Sequence, residues 1–204
     1  MAKIDKSKYT KQQIRKMLAE RKKQKALEKM PIRESIRVDD HTFKEYGFVL
    51  GNGTSRKDLD LSLLRQYGKI YGCNALYREF DPDYLICVDA KMVFEIDKKK
   101  YQYQNPNVWT NSNKAFRNIE KLNYFRPSKG WSSGPTALWL ACQHGYREIY
   151  ILGFDYKGLN DGKLVNNMYA GTPNYRAIHA PSTYYGNWLR HTKQCLTQHK
   201  EITF

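Results

Sequence analysis

Four places in this chain have the residue types and spacing to handle a phosphorylated ligand. Phe48-Val49-Leu50 runs into Gly51-Asn52-Gly53 and then Thr54-Ser55, an apolar strand followed by a two-glycine turn and a helix start. Such a turn gathers unpaired backbone N–H groups and the positive end of a helix dipole at one point, and its glycines admit a ligand close to the backbone. The same spacing also serves as a tight βα connection that binds nothing. Asn74, after Tyr71-Gly72-Cys73, carries an amide able to donate to a phosphate or ribose oxygen and to accept from a hydroxyl, or to cap a helix. Asp89 has the same two readings, orienting a hydroxyl or capping the helix that follows. Ser133-Gly134 precedes Pro135, a residue suited to a first helical turn, and so offers an anion a second helix N-terminus.

The elements that must position these residues alternate between short β-rich runs and helical stretches, which predicts an α/β fold with a mostly parallel sheet and crossover helices. Strands are predicted at Tyr46–Leu50, Lys69–Cys73, Tyr84–Asp89, Val108–Thr110, Leu122–Phe125, Glu148–Gly153 and Glu201–Phe204. Helices are predicted after Thr54, around Ala90–Ile96, after Ser112, from Ser133 to His144 and from Ser182 to Leu196. Ligands of an open parallel sheet lie beyond the carboxyl ends of its strands, at a topological switch point. Asn52, Asn74, Asp89, Ser133 with Gly134, and Asp155 with Tyr156 all fall at such ends. The stretch Gly158–Pro181, rich in glycine, proline and asparagine, is too long for a simple connector and reads as a lid or binding loop, or else as a disordered segment.

At 204 residues the chain holds one well-cored domain and little more, and with 41% apolar residues it has no run of the roughly 20 needed to span a bilayer. A soluble, cytoplasmic protein is expected, in a host cytoplasm or a virion if the source is a phage. Its opening residues, Met-Ala-Lys-Ile-Asp-Lys, lack the apolar stretch of a secretory signal. Cys73, Cys87, Cys142 and Cys195 show no CxxC or Cys/His ligand spacing, which favours buried free thiols and no metal. The net charge of +15 is uneven: residues 1–30 hold eleven Lys/Arg against three acids, giving +8 of it. Residues 1–33 therefore read as a basic helical arm and 34–204 as the body. A solvated tail, or a contact with nucleic acid, another anionic surface or a protein partner, fits residues 1–30.

Gly51-Asn52-Gly53-Thr54-Ser55, then Asp58-Leu59-Asp60, Cys73-Asn74, Ser132-Ser133-Gly134 and the run from Gly145 to Tyr156, in that order, resemble the bacterial family-42 sialyltransferases. They are also similar to the related motility-associated-factor (DUF115-like) domain. The resemblance covers residues 46–204. It implies a Rossmann-like fold binding a CMP-type nucleotide sugar, with inverting transfer to an acceptor hydroxyl and no cofactor or chelated metal. It carries nucleotide contacts to Asn52, Asn74, Ser133 and Gly134, and Gly51, Gly53, Thr54, Ser55, Asp89 and Asp155 complete the nucleotide-binding set expected here. Tyr156 and Tyr169 match the tyrosines that stabilise the leaving phosphate, and His179 matches the general base. A histidine suits that role because its ordinary pKa, about 6.5, leaves much of it neutral near pH 7.

Asp81-Pro82-Asp83 imitates a metal-binding Asp-x-Asp, but its place before a strand argues for a turn. His41, His144, His191 and His199 read as structural or surface residues. Beside the transferase reading stand two others: a nucleotide-binding protein without transfer chemistry, and a structural or interaction protein, such as a bacteriophage particle component, anchored by its basic arm.

Overall fold

Strands form where aromatic and β-branched residues run between turn signals, and helices where the apolar spacing lengthens to three and four. In a computed structural model of the chain, residues 44–204 are described, and before them Gln13 alone. Apart from Gln13, the expected basic helical arm lies outside the described residues, as does His41. The chain divides into two units, Met1–Arg37 and Val38–Phe204.

The strands are β1 (Lys44–Leu50), β2 (Gly68–Cys73), β3 (Tyr84–Ile86), β4 (Val108–Asn111), β5 (Asn123–Phe125) and β6 (Tyr146–Leu152). They make one six-stranded sheet in the order β5-β4-β3-β2-β1-β6, and every pairing is parallel. This is the α/β, Rossmann-like arrangement expected. From β1 the chain steps outward to β5 and then returns to the far side of β1. The ends of β1 and β6 are thus the switch point, where loops diverge and leave a crevice.

Three helices matter to that crevice. The first, α1 (Ala90–Lys99), buries Met92, Val93 and Ile96 on one stripe, ends at a left-handed Lys100, and places Lys98 and Lys99 at the negative end of its dipole. The second, α2 (Ser133–Gln143), has Pro135 in its first turn and is apolar nearly all round. It lies across β1, β2, β3 and β6 and is covered in turn by α3 (Gly186–Gln198). A helix sandwiched between a sheet and another helix needs no polar face. With both sheet faces covered, Val49, Leu50, Ile70, Tyr71, Leu85 and Ile86 are all fully buried, hence the near-continuous apolar strands.

Four expectations change. No α-helix follows Thr54: a 3₁₀ turn at Thr54–Arg56 gives way to another at Leu61–Gln66, because Asp60 accepts from Ser62 N–H at 2.9 Å and opens a new turn. After Ser112, Asn113 likewise caps only the short 3₁₀ turn Lys114–Phe116. The seventh strand is reduced to one parallel bridge, Thr203 against Glu148 at the outer edge of β6. The final helix starts at Gly186, four residues later than Ser182, whose N–H is already donated to Lys163 O at 3.0 Å.

Candidate functional site

A cleft of about 230 Å³ opens at the carboxyl ends of β1, β2 and β6, beside the N-terminus of α2. A second hollow, of about 320 Å³, adjoins it and shares Asn74 and Asp89. Two hydrogen-bonded groups of side chains form the cleft's opposing rims.

The first rim joins three residues singled out in the sequence. Asn74, left-handed at φ 52, accepts from Ser133 Oγ at 2.8 Å and donates to Asp89 Oδ2 at 3.2 Å. Ser133 Oγ in turn accepts from Val88 N–H at 3.1 Å, which ties the end of β3 to the start of α2. One oxygen of Asp89 remains to accept from a ligand hydroxyl. The N-terminus of α2 is open here. Thr136 N–H returns to Ser132 O, Pro135 has no N–H, and among the described residues no acceptor meets Ser133 N–H or Gly134 N–H. Ser132 Oγ, buried in the same wall, also has no partner. Two backbone donors, a buried hydroxyl and the positive end of an 11-residue helix therefore lie together in one stretch of the cleft wall.

The second rim behaves differently. Ser55 N–H donates to Asp155 Oδ2 at 3.1 Å, and Ser55 Oγ donates to Asp155 Oδ1. Thr54 donates from N–H at 2.9 Å and from Oγ1 at 2.8 Å to Asn166 Oδ1, while Asn166 Nδ2 donates to Asp155 Oδ2 at 2.9 Å. The turn read as a phosphate cradle is thus already filled by a carboxylate and an amide of its own chain. Its glycines serve this packing. A Cβ on Gly53 would fall within 3.0 Å of the Asp155 carboxylate, and one on Gly51 within 3.0 Å of Gly153 O. Arg56, only 4% exposed, locks the turn from beneath by donating to Gly51 O at 2.6 Å and to Tyr169 Oη at 3.0 Å, with Glu79 at 3.4 Å. Asn52 lines the cleft, but its amide donates to Tyr175 Oη at 3.3 Å and accepts from Cys73 Sγ at 3.7 Å.

The trio assigned to catalysis is not assembled at the cleft. Tyr156 reaches the wall, yet its hydroxyl donates to Thr192 Oγ1 at 2.6 Å on α3, and burial raises its pKa. Tyr169 is buried beneath the Gly-Asn-Gly turn, donating to Glu79 at 2.6 Å; burial, with that bond, raises its pKa. His179 is exposed and outside the cleft wall. The Gly158–Pro181 stretch is no free lid. Met168 N–H donates to Asn52 O at 2.8 Å, Tyr175 Oη accepts from Ala75 N–H at 3.3 Å, and Arg78 holds Thr172 and the Pro173 carbonyl at 2.8 Å each.

Sequence reasoning missed several wall residues: Ser132, Lys157, Asn166, Tyr185 and Trp188. Lys157 is exposed and, among the described residues, meets no acid. Tyr185 and Trp188, 39% and 37% exposed at the start of α3, present aromatic faces. Their place beside a helix start was legible; which side they face was not. Cys73, also in the wall, is pushed up to about 12 by burial and is no nucleophile.

Asp81-Pro82-Asp83 is the turn expected, at the opposite end of the sheet, where Asp83 meets Lys69 Nζ at 2.7 Å and Asp81 accepts from Tyr101 and Asn105. Among the described residues no helix is long and apolar enough to cross a membrane. No protein-family model matches the chain, and searches of curated proteins and of solved structures likewise return no match.

Proposed function

We propose that this protein binds a nucleotide or nucleotide sugar of the CMP type in the cleft at the ends of β1 and β6. The observation that carries the reading is the open N-terminus of α2, where Ser133 N–H, Gly134 N–H and the buried Ser132 Oγ, without partners among the described residues, belong to residues of the cleft wall. Those donors suit a phosphate, and Lys157 adds a positive charge beside them. Asn74 and Asp89 offer the donor and acceptor that ribose hydroxyls need, and Tyr185 and Trp188 offer faces on which a base can stack. Transfer of the sugar to an acceptor hydroxyl, with His179 as base, extends this reading. The dispersal of Tyr156, Tyr169 and His179 favours the second reading, a binding or assembly protein without transfer chemistry.

Thermal melts and calorimetry with CMP, CDP, UMP, AMP and CMP-sialic acid test the proposal. A ligand at 100 times its dissociation constant stabilises the folded state by about 2.7 kcal/mol. Cytidine ligands are expected to shift the melt most; no shift with any of the five at millimolar concentration overturns the reading. Donor turnover is then followed with and without acceptors. If transfer occurs, His179→Ala lowers it by about 10²-fold while nucleotide affinity holds. Binding without turnover, or turnover indifferent to His179→Ala, rejects the catalytic extension and leaves the binding role.

A further inference from the structure

Away from the cleft, the C-terminal ends of α2 and α3 bring three metal-binding side chains together. Cys142 stands in the last turn of α2, Cys195 in the last turn of α3, and His199 directly after α3. Their ligand atoms all lie within 4.8 Å of one another. Cys195 and His199 are four residues apart, the spacing that brings two side chains to one side of a helix end. Neither sulfur belongs to a disulfide; both cysteines are free and buried, Cys142 at 6% and Cys195 at 0% exposure.

The two Sγ atoms are 3.8 Å apart. Thiolates bound to a tetrahedral zinc at about 2.3 Å each are themselves about 3.8 Å apart. A disulfide would require the sulfurs to close to about 2.05 Å. The sulfur spacing therefore matches a shared ion. Second, the histidine is oriented. His199 Nδ1 lies 3.2 Å from Glu201 Oε1, so the carboxylate can accept from Nδ1–H and leave Nε2 as the ligating nitrogen. A carboxylate behind a ligating imidazole fixes its tautomer and raises its basicity. His199 Nε2 faces the side-chain amide nitrogen of Gln143 at 3.3 Å, a long contact that an ion would replace.

We propose that Cys142, Cys195 and His199 bind one thiophilic divalent cation, zinc by the chemistry of the donor set, with a water completing the tetrahedron. Two thiol protons leave to solvent as the thiolates ligate. The ion would clip together the C-terminal ends of the two helices whose N-terminal ends wall the cleft, through Ser133 and Gly134 on α2 and Trp188 on α3. The site is independent of the nucleotide reading. The reading that the cysteines lack Cys/His ligand spacing overlooked Cys195-x₃-His199, a weak signal alone that became a cluster only when α2 supplied Cys142 from 53 residues away.

Cobalt(II), titrated into the reduced full-length protein, is the probe. One equivalent is expected to give a thiolate-to-cobalt charge-transfer band and the visible bands of a tetrahedral site, both removed by zinc. Cys142→Ser and Cys195→Ser should each weaken binding at least 100-fold, and Glu201→Gln by about 10-fold. Cys87→Ala, outside the cluster, should leave the titration unchanged. Should a serine variant fail to fold, alkylation of the wild type decides: zinc should slow labelling of Cys142 and Cys195 and leave Cys73 and Cys87 unaffected. A reduced protein that gives no band, a band that survives Cys195→Ser, or zinc without effect on alkylation of Cys142 and Cys195 overturns the proposal.

Discussion

The turn after β1 and the turn that opens α2 stand on opposite sides of one cleft and differ in what their backbone donors meet. After β1, Thr54 and Ser55 give their N–H groups to Asn166 and Asp155. At α2, Ser133 and Gly134 keep theirs, and Ser132 Oγ beside them has no partner among the described residues. The more glycine-rich turn is closed and the plainer one is open. Glycine signals that something approaches the backbone closely; it does not say whether that something is a ligand or the chain's own side chain. At Gly53 the visitor is the Asp155 carboxylate, which occupies the place a phosphate would take.

The sharpest way to break this comparison is to force the closed turn open. A Cβ on Gly51 would lie within 3.0 Å of the Gly153 carbonyl oxygen, and a backbone atom cannot swing aside as a side-chain tip can. Gly51 N–H also donates to Leu152 O at 2.8 Å, so the two loops are stitched where the clash would fall. Gly51→Ala is expected to destabilise the protein by about 3 kcal/mol, read from urea midpoints at unchanged slope. A loss under about 0.5 kcal/mol would show that the loops are free to separate, and that the turn can still open to a ligand.

The sequence made the scaffold legible because its signals were local. Phe48-Val49-Leu50 is a buried strand by composition, and Pro135 marked the first turn of α2 from its fixed φ alone. What failed was decided by a competing local cap or at a distance. The helix expected after Thr54 stops because Asp60 recaps the chain, and Glu201–Phe204 makes one bridge where a strand was expected. The candidate site divides the same way. Asn74, Asp89 and Ser133 were placed at strand ends by periodicity and do meet. That Asp155 and Asn166 would fill the other turn depends on residues 100 and 112 positions away, beyond any local signal.

A matched pair of serines sharpens the comparison at smaller cost. Ser132→Ala removes one unpartnered hydroxyl from the open turn, and should weaken nucleotide binding about tenfold, or ~1.4 kcal/mol, with stability within about 0.5 kcal/mol of wild type. Ser55→Ala removes a donor to Asp155 from the closed turn, and should cost about 1 kcal/mol of stability with affinity unchanged. Calorimetry with CMP beside urea unfolding reads both quantities for both variants. The reverse pattern, affinity lost in Ser55→Ala and kept in Ser132→Ala, would move the anion to the turn after β1.

The smallest effect concerns the strap that keeps the closed turn closed. Segment 165–175 supplies Asn166 to that turn, and its far end is pinned on α1 through Glu95, which accepts from Arg78 at 2.8 and 2.6 Å, Tyr77 at 2.7 Å and Asn174 at 2.6 Å. Burial alone would raise the Glu95 pKa, but these bonds outweigh it and hold it at about 2, below its ordinary 4.5. A carboxylate depressed in the folded state binds its proton more readily in the unfolded chain, so its contribution is complete above about pH 4.5. It falls as pH drops below that value and is gone below about 2. Wild type should therefore lose more stability than Glu95→Gln between pH 5 and pH 3, values chosen to straddle about 4.5. Hydrogen exchange should show the N–H groups of Met168, Tyr175 and Thr54 opening together in acid, since all three report on the strap. Parallel pH profiles for the two proteins would place the strap's hold elsewhere, in Met168 N–H on Asn52 O and the buried ring of Tyr169, and the closed turn would then be closed by packing alone.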